Sequence, residues 1–407
     1  MSQELTTGNR CILFLMSIRR FLLGGWIVSL LFMASSSLAY ADGQLVPEKV
    51  TIMKGEVLEI ITQEEKNLPG TDTRSTFQTI KARILDGEEK GKEVTIENDH
   101  LNLQKGEVFY VTHTVDTLGD YDYYTITDPY RLPQLLGLVG LFVFLVFIFG
   151  GKQGVRGLVS LAGSFLFIFY ILLPAILHGY SPLLVTVGVS SLIITVGSYV
   201  THGFTRSTSA AVIGMIATVS LTGFLAYVAV HLTRLTGFGS EEAMYLNLNT
   251  RGSIDVLGIL LGGIIIGLLG VLYDAAIGQA VSVEELHRIA PHMPRKVIYT
   301  RALRIGREHI GALVNTLAIA YVGASLPLLL LFYQTSSASF AHIANTEIFA
   351  TEIVRIMIGS IGLVLAVPVT TVVSTLMLVR KKEQIVDDAE LKKERDALEH
   401  AGHSHGH

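Results

Sequence analysis

Residues 253–274 read Ser253-Ile254-Asp255-Val256-Leu257-Gly258-Ile259-Leu260-Leu261-Gly262-Gly263-Ile264-Ile265-Ile266-Gly267-Leu268-Leu269-Gly270-Val271-Leu272-Tyr273-Asp274. A stretch this apolar and this long is enough to cross a bilayer, which takes roughly 20 residues. Two carboxylates bracket it and five glycines lie between them. At about 100° per residue, the glycines and Asp274 fall in one arc, from about −60° to +120° around Asp255. Leu257, Leu261, Ile264, Leu268, Val271 and Leu272 occupy the opposite side. The pattern predicts a span with one small face carrying both acids and one greasy face turned to lipid. The small face has two uses. Gly258 with Gly262, and Gly263 with Gly267, are small-xxx-small pairs that let helices approach closely, and Gly270 extends the same stripe. Asp255 and Asp274 would line a pathway or binding cavity, the default reading of ionisable groups in a span. Asp255, at the helix start, also suits a cap.

The rest of the chain agrees that this is a membrane protein. Of 407 residues, half are apolar and 16% charged, with mean hydropathy +0.50. Soluble domains carry about 25% charged residues. Seven apolar stretches follow residue 132, near 133–151, 157–177, 182–200, 209–231, 253–274, 311–333 and 353–379. This excludes a soluble enzyme, a fibrous protein and a disordered chain. A net charge of −4, with no basic stripe interleaved with aromatics, gives no reason to expect nucleic acid. Cys11 is the only cysteine, so disulfides, CxxC chemistry and cysteine metal sites are excluded. With residue 132 outside, the inner loops 152–156, 201–208, 279–310 and the tail from 380 carry 2, 1, 6 and 6 Lys plus Arg. The outer loops 178–181, 232–252 and 334–352 carry 0, 2 and 0. That asymmetry predicts seven spans with the C-terminus in the cytoplasm.

The N-terminus has the layout of a secretory signal: Arg19-Arg20, an apolar run over 21–38, then Ala39-Tyr40-Ala41. Residues 1–41 are a cleaved signal peptide or a retained anchor. Either way, residues 42–132 are exported, with 18 acids and 10 bases. Short alternating runs, with glycine and aspartate turns at Asp86-Gly87 and Lys90-Gly91, predict about five strands, the first leading through Lys54-Gly55. These would form a small antiparallel β-barrel of OB or SH3 type, which names no ligand.

Other polar groups near the spans are candidates by depth. Arg355 lies just inside the last span and would pair with Asp255, with Glu352 as a rival three residues away. Asp274 would meet Arg307 at the opposite end. Asn315 lies early in the sixth stretch and Pro327 later, while Pro368 lies mid-span in the seventh near Thr370, Thr371, Ser374 and Thr375. Such breaks free a carbonyl and occur at transporter sites, although kinked structural helices are commoner. Ser240 is a plausible N-cap for a short helix in the 237–252 loop. The tail holds His400, His403, His405 and His407, able to chelate adventitious divalent metal. No other cofactor is expected. No H-E-x-x-H occurs and no G-x-S-x-G elbow joins a strand to a helix, so no enzyme activity is expected.

Residues 253–274, with the Ile-Asp start, Gly-Gly-Ile-Ile-Ile-Gly centre and Tyr-Asp end, resemble the YibE/F family of bacterial membrane proteins. So do Ile305-Gly306-Arg307-Glu308-His309-Ile310-Gly311, Asn315-Thr316-Leu317, Ala320-Tyr321 and Leu326-Pro327-Leu328-Leu329-Leu330, and in the last span Glu352, Arg355, Gly359, Gly362 and Pro368. The likeness covers about residues 130–380 and leaves out the His-rich tail. It implies a bacterial plasma-membrane protein with an exported β domain and supplies no substrate. The first functional expectation is a permease for a small solute or ion. The second is a membrane scaffold or accessory factor whose β domain binds an envelope partner. The partners expected are the lipid bilayer and either a second copy or an envelope protein.

Overall fold

The computed structural model describes residues 49–67, 74–99, 101–115, 122–334 and 339–379. The signal or anchor with Cys11 and the tail with His400, His403, His405 and His407 lie outside the described residues. The chain divides into two compact units, Met1–Leu138 and Val139–His407.

Alternating burial along its strands builds the first unit. Val94 and Ile96 point inward between exposed Glu93, Thr95 and Glu97. Together with Met53, Val57, Ile80, Ile84, Phe109, Val111 and Ile126 they form one apolar core. The strands are β1 (Lys49–Asn67), β2 (Arg74–Ile84), β3 (Glu93–Asn98), β4 (Val108–Val115) and β5 (Asp122–Pro129). They make one antiparallel sheet in the order β3-β2-β1-β4-β5. Strand β1 runs straight through Lys54-Gly55. A Cβ on Gly55 would sit 3.0 Å from Val111 Cγ2 and 3.1 Å from the Phe109 ring, so this glycine serves close strand packing. The turns at Gly87 and Gly91 are as expected, with φ of +79° and +91°.

The sheet is not a closed barrel. Edge strands β3 and β5 come within 8 Å, but no ladder joins them. Side chains bridge the gap instead. Lys92 Nζ donates to Tyr124 Oη at 2.6 Å and to Glu89 Oε1 at 2.8 Å, while Tyr124 Oη donates to Glu89 Oε2 at 2.7 Å. The His113 ring stacks on Tyr124, with centroids 4.5 Å apart. The hydrogen bonds from Lys92 and then Tyr124 hold the Glu89 carboxyl below its ordinary value, and those with Glu89 and Tyr124 push the Lys92 ammonium up.

The second unit is helical. Among the described residues, five helices are long and apolar enough to cross a membrane, and six if one bent pair counts as a single span. Helix α1 (Leu132–Phe167) passes through a π turn, Ile168–Leu172, into α2 (Leu173–Leu177). The stretch Leu132–Leu177 therefore holds the first two expected spans in 46 residues. Its internal break is Gly151, at φ 51° and ψ −140°, and the expected loop 152–156 is helical. Next come α3 (Pro182–His202), α4 (Arg206–Thr233) and the short α5 (Glu241–Asn249), capped as expected by Ser240. Helix α6 (Val256–Ile289) is followed by α7 (Arg295–Ala324) and α8 (Leu326–Gln334), bent from each other by 67°. Helices α9 (Phe340–Ala344) and α10 (Glu347–Leu378) complete the unit.

Helix α6 packs against α3, α4, α7 and α10. This reverses the expected orientation of its greasy face. Leu261, Ile264, Leu268 and Leu272 are buried in the bundle core, and it is Gly263, Gly267 and Gly270 that are exposed. Lipid tails are as apolar as leucine, so hydrophobicity alone does not say which side meets lipid. A helix with four neighbours buries its large side chains among them. Helices α4 and α10 run closest, where a Cβ on Gly214 would lie 2.9 Å from the Thr370 Cα.

Candidate functional site

The polar groups expected in the spans separate into three places. At the start of α6, Asp255 is an N-cap, and its Oδ1 accepts the Gly258 N–H at 2.8 Å. A carboxylate there satisfies an orphan donor and faces the positive end of the helix dipole. Asp255 is exposed and makes no ion pair with Arg355 among the described residues. The rival partner holds Arg355, whose Nη1 lies 2.7 Å from Glu352 Oε1 on the same face of α10. Glu352 Oε2 also accepts the Ser325 hydroxyl at 3.1 Å. Ser325 is the residue between α7 and α8, so this pair ties the 67° bend to α10.

The glycines of α6 do not share one role. Gly258 packs on Pro182, Gly262 lies against Thr186, and the Tyr321 hydroxyl sits where a Cβ of Gly267 would go, while a Cβ on Gly263 or Gly270 would meet nothing within 4 Å. Asn315 is exposed on α7.

The third place is a cleft of about 330 Å³ between α6 and α7, floored by α10. Asp274 opens onto it, and so do Gln279 and Ser282 from the next turns of α6 and His309 from α7. The expected Asp274–Arg307 ion pair is absent among the described residues, and Arg307 is exposed on α7. Two residues further along α7, His309 faces the cleft instead. A second imidazole, His202 at the end of α3, lies within electrostatic reach of Asp274, with its ring 5.9 Å from that of Tyr273. Gly306 and Val367 close the floor. A Cβ on Gly306 would collide with Gln279 Oε1 and Val367, so glycine leaves room for the amide oxygen. Gln279 is 4% exposed and its Nε2 donates to the Ala302 carbonyl at 2.8 Å. Pro368 follows Val367 inside α10. With no N–H, it leaves the carbonyl four residues back without its helical partner.

Sequence reading locates Asp274 and Pro368 and misses Gln279, Ser282, His309 and His202. A lone glutamine shortly after an aspartate, in an otherwise apolar helix, is the available signal. His309 is hidden because residues 279–310 read as a basic, partly helical loop interrupted by Pro291 and Pro294, whereas α6 and α7 run through all of it but that short connection. Among the described residues, no group of three His, Cys, Asp or Glu is placed to hold a metal.

A family model described as YibE/F-like protein matches residues 138–380, which include every residue of this cleft. No curated protein and no solved structure matches the chain.

Proposed function

The chain belongs to the YibE/F-like protein family, and from that premise we propose that it is a permease for a small solute or ion, with the Asp274 cleft as its binding site. The observation that carries this reading is the cleft itself. It brings an exposed carboxylate, an exposed imidazole and a buried amide together in an open cleft between helices of membrane length. An intramembrane ionisable group is costly to keep unless it serves a pathway. The Pro368 break beside the floor and the bend at Ser325 supply the irregular helices that moving transport elements use.

The arrangement in the membrane follows from length and charge. The 46 residues of Leu132–Leu177 would extend about 69 Å as one helix, over twice the roughly 30 Å hydrocarbon core. We therefore read two spans turning at Gly151, seven in all, in a plasma membrane with the β unit exported and the C-terminus cytoplasmic. The β unit is then an OB-like barrel left open along β3 and β5, delivered by the N-terminal signal or anchor. The chain carries out no enzymatic reaction and needs no cofactor.

The test is flux. Full-length protein reconstituted in liposomes should dissipate an imposed salt gradient, read by a potential-sensitive dye. Asp274→Asn should lose that flux while keeping its helical circular dichroism. Equal leak in both proteins would sink the reading.

One observation favours the second reading, a scaffold. On one face of the β sheet Val50, Ile52 and Tyr123 are exposed together, 54%, 65% and 53%. Clustered apolar surface of this kind marks partner sites. Intact mass in native lipid decides: an envelope protein copurifying at fixed stoichiometry supports the scaffold, and a second copy of the chain alone does not.

A further inference from the structure

The polar lining of the Asp274 cleft is one-sided in its hydrogen-bonding character. Ser282 Oγ donates its proton to the Gly278 carbonyl at 2.8 Å. Gln279 Nε2 donates to the Ala302 carbonyl at 2.8 Å. The Ser282 donor is spent within α6 and one Gln279 N–H on the facing helix α7, and lone pairs remain. The Gln279 Oε1 occupies the space that Gly306 leaves open, and the Asp274 carboxylate has no ion-pair partner among the described residues. No lysine or arginine lines the cleft. An anion would find no compensating charge here. A neutral solute would leave the carboxylate without a counter-charge.

We infer that the cleft binds a monovalent cation, in the class of sodium, potassium or ammonium. One fixed carboxylate balances one positive charge. Neutral oxygens from Gln279 and Ser282 replace part of the hydration shell, as oxygen ligands do for hard cations. The volume, about 330 Å³, holds on the order of ten waters at roughly 30 Å³ each, so the ion keeps much of its shell. A tightly held divalent metal wants more charge or a denser ligand set than this, and no group of three His, Cys, Asp or Glu is placed for one among the described residues. His309 and His202 are the imidazoles near the carboxylate; while neutral they add no repulsion. The inference deepens the permease reading at the same cleft.

The experiment is a thermal-shift titration of the full chain in nanodiscs at constant ionic strength, with N-methylglucamine chloride as the inert background. Sodium, potassium and ammonium chlorides are the probes, and magnesium and zinc chlorides are separate arms. A melting temperature that rises and saturates with at least one monovalent cation is the expected result, with half-saturation moved at least tenfold in Asp274→Asn. Because Asp274→Asn could misfold, Ser282→Ala is run beside it. Its helical circular dichroism should match the wild type's, and its half-saturation should rise several-fold. The inference is overturned by a response to magnesium or zinc alone, by a shift that follows the anion, by no saturable shift, or by a shift unchanged in both variants. Saturable binding without flux in liposomes would remove the permease reading and leave this one standing. Flux without cation binding would do the reverse.

Discussion

Arg355 is ion-paired to Glu352, three residues earlier on the same helix, with 2.7 Å between Nη1 and Oε1. Asp255, the acid that depth alone matched to it, is spent on the Gly258 amide. The helical spacing decides this. Residues three apart are neighbours whatever the tertiary structure does, whereas a pair between two helices needs both to present the groups to each other. A double-mutant cycle on thermal unfolding in nanodiscs should give a Glu352–Arg355 coupling of about 1 kcal/mol, above the roughly 0.3–0.5 kcal/mol of an exposed helix pair. The Asp255–Arg355 cycle should give none, and exchanging those two charges should not rescue folding. Rescue would mean that the pair forms in the membrane after all.

Glycine positions that look alike in sequence should behave differently. Gly214 faces the backbone of Thr370, so the extra methyl of Gly214→Ala would sit 2.9 Å from a Cα that cannot move without its helix. Overpacking of this kind costs about 1–3 kcal/mol. A Cβ on Gly270 meets nothing within 4 Å, so Gly270→Ala should be neutral or stabilise by up to about 1 kcal/mol through helix propensity. Melting temperatures of the two variants in the same lipid would show the contrast. A Gly270→Ala that unfolds the protein would place a partner against that face.

How far the sequence can be read follows from what each signal encodes. The period of two in Glu93-Val94-Thr95-Ile96 reports burial on one face, and the strand is there. The role of Gly55 is not legible, because a glycine between two β runs looks the same whether it turns the chain or lets Phe109 and Val111 pack on it. The arc of glycines and acids on α6 is correct as geometry. Gly258 and Gly262 pack on α3 as expected, but the greasy side is misplaced, because large aliphatic side chains carry no contrast between core and lipid: Ile264 and Leu268 are equally at home in either. Asp274 is legible as an ionisable group in a span. Its surroundings are not, since Gln279 and His309 reach the cleft from different helices and nothing local announces that meeting.

The charge network across the open edge of the β unit should give that unit a bounded pH range. Glu89 is held below its ordinary value of 4.5, so its contribution is present above that value and is lost as pH falls through the lower, folded one. Lys92 is pushed up from 10.5, so its contribution is present below 10.5 and is lost as pH rises through the higher, folded value. Amide exchange of β3 and β5 in the full chain, expressed as protection factors, should fall as pH drops below about 4.5. Glu89→Gln should start with lower protection at neutral pH and lose little more on acidification. Tyr124→Phe removes one hydroxyl that both accepts and donates, and should cost about 1 kcal/mol. A wild type whose protection is flat through the acid range would remove the network from the stability of this edge.

The helix Leu132–Leu177 gives the sharpest test of topology. Its break at Gly151 has φ 51° and ψ −140°, a conformation that an L side chain resists. The flanking sequence Gly150-Gly151-Lys152-Gln153-Gly154 is the one polar, glycine-rich interruption in an apolar run. If the chain reverses there, Lys152 lies on one side of the membrane, while Glu97 in the β unit and Tyr180 after the second span lie together on the other. If the helix crosses once, Glu97 and Tyr180 lie on opposite sides. Single cysteines at these three positions, in a Cys11→Ser background, can be labelled with an impermeant maleimide from either side of oriented vesicles. The expected pattern is Glu97→Cys and Tyr180→Cys modified from the same side, and Lys152→Cys from the other. Glu241→Cys should follow Tyr180→Cys, because α3 and α4 cross as a pair between them. Opposite labelling of Glu97→Cys and Tyr180→Cys would reduce the count by one span and move the Asp274 cleft to the other face of the membrane relative to the β unit.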